Sequence, residues 1–281
     1  MVHTTLSDVL VLSVLFEHYR RKMAPRLAAN LNFLFKEDEP DISERIRRAH
    51  AAGFRAVEIP FPHSELRNVI QAKEETGIQI VLINIDLGDS KFGTASLPQC
   101  EEKFKLQLNK TIQFAKAVEC KKIHIMAGLR EGSATDHLNV YKNNLKYASE
   151  VLEKEGIVGL IEPINRIALP TYFMNSYETA CDIIREINSK HIRLMVDIYH
   201  LQHIRGNITD AFSTFRDIIG HIQIAQVPHR HEPDVAGELD FSYIFGLIKS
   251  SEYEDWIGCE YKPKTTTLEG LGWIKKYEHL L

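Results

Sequence analysis

Four short apolar runs in the second half of the chain each end in a side chain that offers an oxygen atom. VGLIEPIN brings Glu162, RLMVDIYH brings Asp197, HIQIAQVP brings Gln223 and IGCEYKP brings Glu260, while an earlier run, RAVEIPFP, brings Glu58. An uncompensated carboxylate in apolar surroundings is costly, so a group of them at strand ends implies a shared cation, proton or polar ligand. Glu162, Asp197, Gln223 and Glu260 together make an all-oxygen set of three carboxylates and one amide. That set suits Mg2+ or Mn2+ better than Zn2+, whose protein sites favour nitrogen and sulfur.

Around this set stand residues with less specific chemistry. His200 follows Asp197 by three positions and reads as a substrate contact or a structural histidine; His221 precedes Gln223 by two and reads as structural. Glu58 reads as a hydrogen-bond partner of substrate or as a residue that orients another ligand, against a structural ion pair, and Asn30, Asn84 and His124 sit with it on early strands. A substrate carboxylate requires a cation or backbone donors, and Lys262, Arg230 and His229 are the nearest in sequence. The triplet His229, Arg230, His231 suggests zinc, but on a turn it more commonly faces solvent.

The elements that must position these groups alternate strictly. Candidate strands are LAANLNFLF, RAVEIP, QIVLINI, KIHIMAG, VGLIEPI, RLMVDIY, HIQIAQV and WIGCEY. Eight helical patterns separate and follow them, with apolar residues at three- and four-residue spacing, as in Ile42, Ile46 and Ala49. Gly53, Gly77, Gly156 and Gly220 stand where helix ends are expected. Strands separated by helices pair in parallel through right-handed crossovers, and near-continuous apolar strands are buried on both faces. Eight such units predict a (β/α)8 TIM barrel, with an open doubly wound sheet as the runner-up. In the barrel all strands end at one face, so Glu162, Asp197, Gln223 and Glu260, from the fifth to eighth strands, become neighbours. Like charges brought so close need a cation or a proton among them. Cys259 is expected to point outward into packing, Phe241 and Phe245 to lie in the core or at an interface, and Trp256 and Trp273 to pack the last strand and helix.

Composition narrows the class. A chain of 281 residues with 44% hydrophobic and 26% charged content is that of an ordinary globular enzyme. A formal net charge of −4 argues against a broad nucleic-acid surface. Four cysteines without a CxxC pair point to a reducing compartment, so a cytoplasmic location is expected, with a mitochondrial one as the alternative because the first residues are acid-poor and end in HYRRK. The apolar run within residues 1 to 22 is too short to span a bilayer and lacks the flanks of a secretory signal, so it reads as an N-terminal extension before a single domain over 23–281. With no GxGxxG after the first strand and no GxxxxGK[ST], no nucleotide cofactor is expected. A homo-oligomer is left open.

The strings LAANLNFLF, GFRAVEIPFP, LIEPIN, DIYHLQ, GHIQIAQVPHRHEP, the pair Gly237 and Glu238, and GCEYKPKTTTLEGLGW resemble the hydroxypyruvate isomerase family of xylose-isomerase-like TIM barrels, over essentially Met23 to Leu281. The resemblance implies a proton donor and acceptor pair at Glu162 and Glu260, and a divalent-metal site at Glu162, Asp197, Gln223 and Glu260. It implies isomerisation of a small 2-oxo acid, hydroxypyruvate to 2-hydroxy-3-oxopropanoate, or of another short 2-oxo sugar acid. Two departures lie where substrate would enter: the loop DLGDSKFGTASLP after the third strand replaces a longer one, and His231 stands where the pattern PHRGEP has glycine. Two other readings of the same fold are a metal-dependent endonuclease and a non-catalytic barrel that binds a metabolite or a protein. The first predicts several zinc-ligating histidines and a basic groove; the second predicts binding without turnover.

Overall fold

A computed structural model describes residues 26–38 and 40–281, so the segment read as an N-terminal extension, residues 1 to 22, lies outside the described residues. Eight parallel strands close into a barrel in sequence order: β1 (Arg26–Asn30), β2 (Ala56–Ile59), β3 (Gln79–Asn84), β4 (Lys122–His124), β5 (Val158–Ile161), β6 (Ile192–Asp197), β7 (Ile219–Ile224) and β8 (Trp256–Cys259), with β8 paired back onto β1. The doubly wound alternative would leave two edges, and this closed sheet has none.

The crossovers are α1 (Ile42–Ala51), α2 (Leu66–Thr76), α3 (Glu101–Ala117), α4 (Ala134–Glu155), α5 (Tyr177–Ile187), α6 (Ile198–Ile204), α7 (Ile208–Phe215) and α8 (Phe241–Ser250), and after β8 come α9 (Thr267–Gly270) and α10 (Gly272–Tyr277). Their starts follow from capping chemistry: Asp41, Ser133 and Ser176 accept from the backbone N–H three residues on, answering a donor the first turn would leave bare. Gly77 and Gly156 end α2 and α4 in the left-handed conformation that glycine adopts without a Cβ penalty.

Three expectations need correction. Gly220 is not a helix end: it lies inside β7, where a Cβ would come within 2.5 Å of Arg193 Cβ, so the glycine there makes room for the neighbouring strand. The run RLMVDIY is not all strand, because Asp197 ends β6, accepts from Tyr199 N and starts α6. That helix is additional to the sequence pattern, and the last helical pattern divides into α9 and α10, so the described residues hold more helices than strands.

Alternation along the strands separates two cores. Outward residues such as Val57, Ile59, Ile83, Ile123, Ile161, Val196, Ile222 and Ile257 join the helices in one large apolar cluster, which also holds Cys259, Phe241 and Phe245. The barrel interior holds two small apolar groups, Ala28, Ala56 and Val81 against Trp256, and Leu82, Leu160 and Met195 against Val158, and at the depth of the second lie two buried polar residues, Glu58 in register with Leu82 and His221 in register with Met195. Trp273 is fully buried, stacks on Phe245 and donates from Nε1 to Tyr261 Oη at 3.0 Å, which seats α10 against the end of β8. Above the apolar layers the inward positions turn polar.

Candidate active site

The polar layer lies at the carboxyl ends of the strands. Glu162 follows β5 directly, Asp197 is the last residue of β6, Gln223 is one residue from the end of β7, and Glu260 follows β8 directly. Parallel closure therefore gathers the four groups expected from sequence, and Glu162, Gln223 and Glu260 open onto one cavity of about 590 Å³. Arg230, His200 and Lys262 also line it, and Phe33, Phe92, Met126, Ile164 and Tyr199 supply apolar wall. Asp197 lies fully buried behind the wall, and Glu58 is not part of the wall at all.

Arg230 bridges two of the carboxylates. Its Nη2 donates to Asp197 Oδ2 at 2.7 Å and stands 3.0 Å from Glu260 Oε2, while its Nε donates to the Glu260 backbone carbonyl at 3.2 Å. Its guanidinium carbon lies 4.7 Å from the ring centre of Phe33 and 4.9 Å from that of Tyr199, so aromatic faces hold the cation in place. Burial works against its charge, but Glu260 and Asp197 outweigh that and hold the Arg230 pKa above its ordinary value. Three carboxylates thus face one guanidinium. Burial, then the charges of Glu260 and Asp197, lift the Glu162 carboxyl well above the ordinary carboxylate range. Burial likewise raises Asp197 despite Arg230, and raises Glu260 to about 8.

His200 is held by Asn165, whose backbone N donates to Nδ1 at 3.2 Å and whose Nδ2 lies 2.8 Å from the same atom. The Asn165 Oδ1 is already taken by Ile167 N and Ala168 N, so Nδ2 must face the imidazole. Nδ1 is therefore an acceptor and the proton sits on Nε2, which points toward Asp197 Oδ2 at 3.6 Å and Glu162 Oε1 at 3.8 Å. Burial, then Arg230, keeps the His200 pKa well below its ordinary value. His124 is also kept neutral, pushed down to about 3 by burial with His221 nearby, and its Nε2 lies 3.5 Å from Glu162 Oε2.

The model of one family, xylose isomerase-like TIM barrels, matches residues 46–277. A relative from Drosophila melanogaster, named "Putative hydroxypyruvate isomerase", is 49% identical over 264 residues, which are 92% of this chain and 100% of that protein. The 2-oxo-tetronate isomerase of Cupriavidus necator is 38% identical over 262 residues, covering 90% of this chain and 98% of its own. This chain belongs to the hydroxypyruvate isomerase family of xylose isomerase-like TIM barrels. It is an enzyme of the isomerase class. Among solved structures, that of AP endonuclease, family 2 from Brucella melitensis superposes with a TM-score of 0.86 at 33% identity, over 90% of this chain and 99% of that one.

A divalent cation is part of what the family resemblance implies, and the donor atoms fit one. Glu162 Oε1 and Gln223 Oε1 are buried acceptors with no hydrogen-bond donor among the described residues, which is costly unless a ligand answers them. Glu260 Oε2 is buried and also accepts no hydrogen bond of good geometry there, although the Arg230 charge stands beside it. With Asp197 these groups offer oxygen only, and the three carboxylates less one guanidinium leave two formal negative charges for a divalent ion. Glu162, Asp197 and His200 also place ligand atoms within 4.8 Å of one another. His200 is the poorer donor of that group, since its site-facing Nε2 carries the proton and Nδ1 is occupied by two N–H groups.

The other polar residues separate into those near the site and those below it. His231 hydrogen-bonds through Nδ1 to Lys262 O and the exposed ring of His229 lies beside it, so the triplet forms part of the rim and offers no cluster of zinc ligands among the described residues. Asn84 lines the cavity. Sequence reading did not single out Asn165, or Gln226, whose amide reaches Val235 O and Leu239 O and accepts from Leu239 N, closing the loop that carries Arg230. The signal was available in part: LIEPIN and IAQVPH place an amide three residues beyond Glu162 and Gln223. No described helix is long and apolar enough to cross a membrane.

Proposed function

We propose that this site interconverts hydroxypyruvate and 2-hydroxy-3-oxopropanoate, and related short 2-oxo sugar acids, by proton transfer between Glu162 and Glu260 through an enediol. One carboxylate removes a proton from the hydroxymethyl carbon, C3, as the C2 carbonyl becomes an enol oxygen. The other, protonated at the outset, delivers a proton to C2 while the C3 hydroxyl proton passes to the C2 oxygen and the C3 oxygen becomes the aldehyde; the pair ends with its proton on the opposite carboxyl and is reset by exchange with solvent. A divalent cation held by Glu162, Asp197, Gln223 and Glu260 would supply Lewis acidity at the substrate oxygens.

The chain's own groups do the rest. Arg230 lies against Glu260 and offers positive charge where oxygen gains negative charge. His200, neutral with its proton on Nε2, is a donor directed into the same space. Lys262 lines the cavity, and no carboxylate pairs with it among the described residues; it takes the substrate carboxylate. The apolar wall excludes water from the enediol.

The observation that carries this reading is the convergence of Glu162, Gln223 and Glu260 on one cavity, each with a buried oxygen that no hydrogen bond answers among the described residues. The names of the two isomerase relatives support the substrate class. The oxygen-only donors favour isomerisation over an endonuclease activity of the kind for which the Brucella protein is named, since several histidine ligands and a basic groove would be expected for that.

The test is proton NMR of the purified protein with hydroxypyruvate in deuterated buffer, before and after EDTA treatment and Mn2+ addition. Appearance of 2-hydroxy-3-oxopropanoate, abolished in both Glu162→Gln and Glu260→Gln, is expected. Turnover surviving either substitution would overturn the assigned pair, and no product from the Mn2+-loaded protein would overturn the substrate.

A further inference from the structure

Glu58, which the sequence offered as a substrate contact or as a residue that orients another ligand, is 1% exposed and does not line the cavity. Its carboxylate lies across the barrel interior instead. Oε2 accepts from Asn30 Nδ2 at 2.8 Å and from Gln223 Nε2 at 2.8 Å, and Oε1 is hydrogen-bonded to His221 Nε2. Each donor is itself oriented. Asn30 Oδ1 is taken by Asn32 N, so its Nδ2 faces Glu58. Lys122 Nζ, which can only donate, lies 3.2 Å from His221 Nδ1 and leaves the ring proton on Nε2, facing Glu58. Lys122 is in turn paired with Asp255 at 2.6 Å.

The space for this arrangement comes from β8. A Cβ at Gly258 would collide with Glu58 Oε1 and lie 2.5 Å from its Cδ, so any other residue there would displace the carboxylate. The backbone at Gly258 does not have a positive φ, and the glycine serves clearance alone.

A glutamine can present either end of its amide. A carboxylate accepts from the Nε2 end and repels the Oε1 end. We propose that Glu58 is a positioning residue: by binding Gln223 Nε2 from below, it turns Gln223 Oε1 into the cavity and makes that residue an oxygen donor toward a cation or substrate hydroxyl. This rests on the ligand set proposed above. Gln223 Oε1 is buried with no donor among the described residues, which is the state such an orientation produces. An amide reversed in the site would aim an N–H at Glu162 and Glu260 in place of an acceptor.

Two readouts test it. In protein labelled with 15N at the glutamine amides, the Gln223 Nε2 resonances, assigned by their loss in Gln223→Ala, should be shifted and slow to exchange in the native chain, and should lose both properties in Glu58→Gln. Mn2+ binding, followed by the EPR signal of the free ion, should weaken by about 10- to 100-fold in Glu58→Gln, and the Glu58→Gln, Gln223→Ala double variant should bind no more weakly than Gln223→Ala alone. Unchanged amide resonances in Glu58→Gln, or two losses that add in the double variant, would overturn the proposal. If the native chain takes up no Mn2+, the cation reading fails by itself while the amide resonances still decide the orientation. Should Glu58→Gln fail to fold, Gly258→Ala displaces the same carboxylate with its charge intact and is expected to alter the Gln223 resonances in the same way.

Discussion

Glu58 and Glu162 are both buried carboxylates on the inner wall of one barrel, yet their surroundings are opposite. Glu58 has donors on both oxygens, from Asn30, Gln223 and His221, and the chain behind it continues through Lys122 to Asp255. Glu162 has an oxygen with no donor among the described residues, a neutral histidine 3.5 Å from the other, and like charges beside it. The lower carboxylate is answered within the protein. The upper one is held at a free-energy cost that a ligand would offset, which is how a binding site differs from a structural ion network of the same composition.

Substitutions at the two positions should therefore separate activity from stability. Glu162→Gln is expected to lower turnover of hydroxypyruvate by about 10²- to 10⁴-fold while leaving the urea midpoint equal or higher, because a neutral amide replaces a charge crowded by its neighbours. A lower midpoint for that variant would show that Glu162 also holds the fold together. Glu58→Ala should instead cost about 3–5 kcal/mol of stability, read from urea unfolding, since it leaves His221, Asn30 and Gln223 without their common acceptor. If its loss matched an ordinary surface substitution, the contrast between the two carboxylates would collapse.

Adding Mn2+ to EDTA-treated protein at about a hundredfold excess over its dissociation constant should stabilise the native state by about 2.7 kcal/mol, seen as a rise in melting temperature. That rise should vanish in Glu260→Gln and persist in variants of the rim histidines His229 and His231. The smallest effect is expected far from the site, at Asp41, whose side chain caps α1. Hydrogen bonds from Glu44 N and Ser43 hold its carboxyl below the ordinary value. A lowered folded-state pKa means that the cap stabilises above the unfolded value and is lost as pH falls through the folded one. Asp41→Ala should therefore cost about 1 kcal/mol at neutral pH and nothing at strongly acid pH, by unfolding curves at the two conditions.

Much of this protein could be read from local pattern. The apolar runs of β5, β6, β7 and β8 each end at or beside a polar group, and alternation with helices requires parallel pairing, so the barrel and the meeting of Glu162, Asp197, Gln223 and Glu260 at one face follow from sequence. Helix ends marked by Gly77 and Gly156 were legible for the same reason, since capping acts over a few residues. Gly220 was misleading because a glycine that clears a neighbouring strand has the same appearance as one that ends a helix.

What lay beyond the sequence were relations across the closed barrel. Arg230 was visible as a cation near the site, but its two carboxylate partners depend on how the loop after β7 folds back over β6 and β8. Lys122 and Gly258 had no motif to mark them, and Glu58 meets His221 from 163 positions away. Local sequence sets the strand, its buried face and the group at its end. Which side chain answers that group is set by strand register and ring closure, and these exist only once all eight strands have paired.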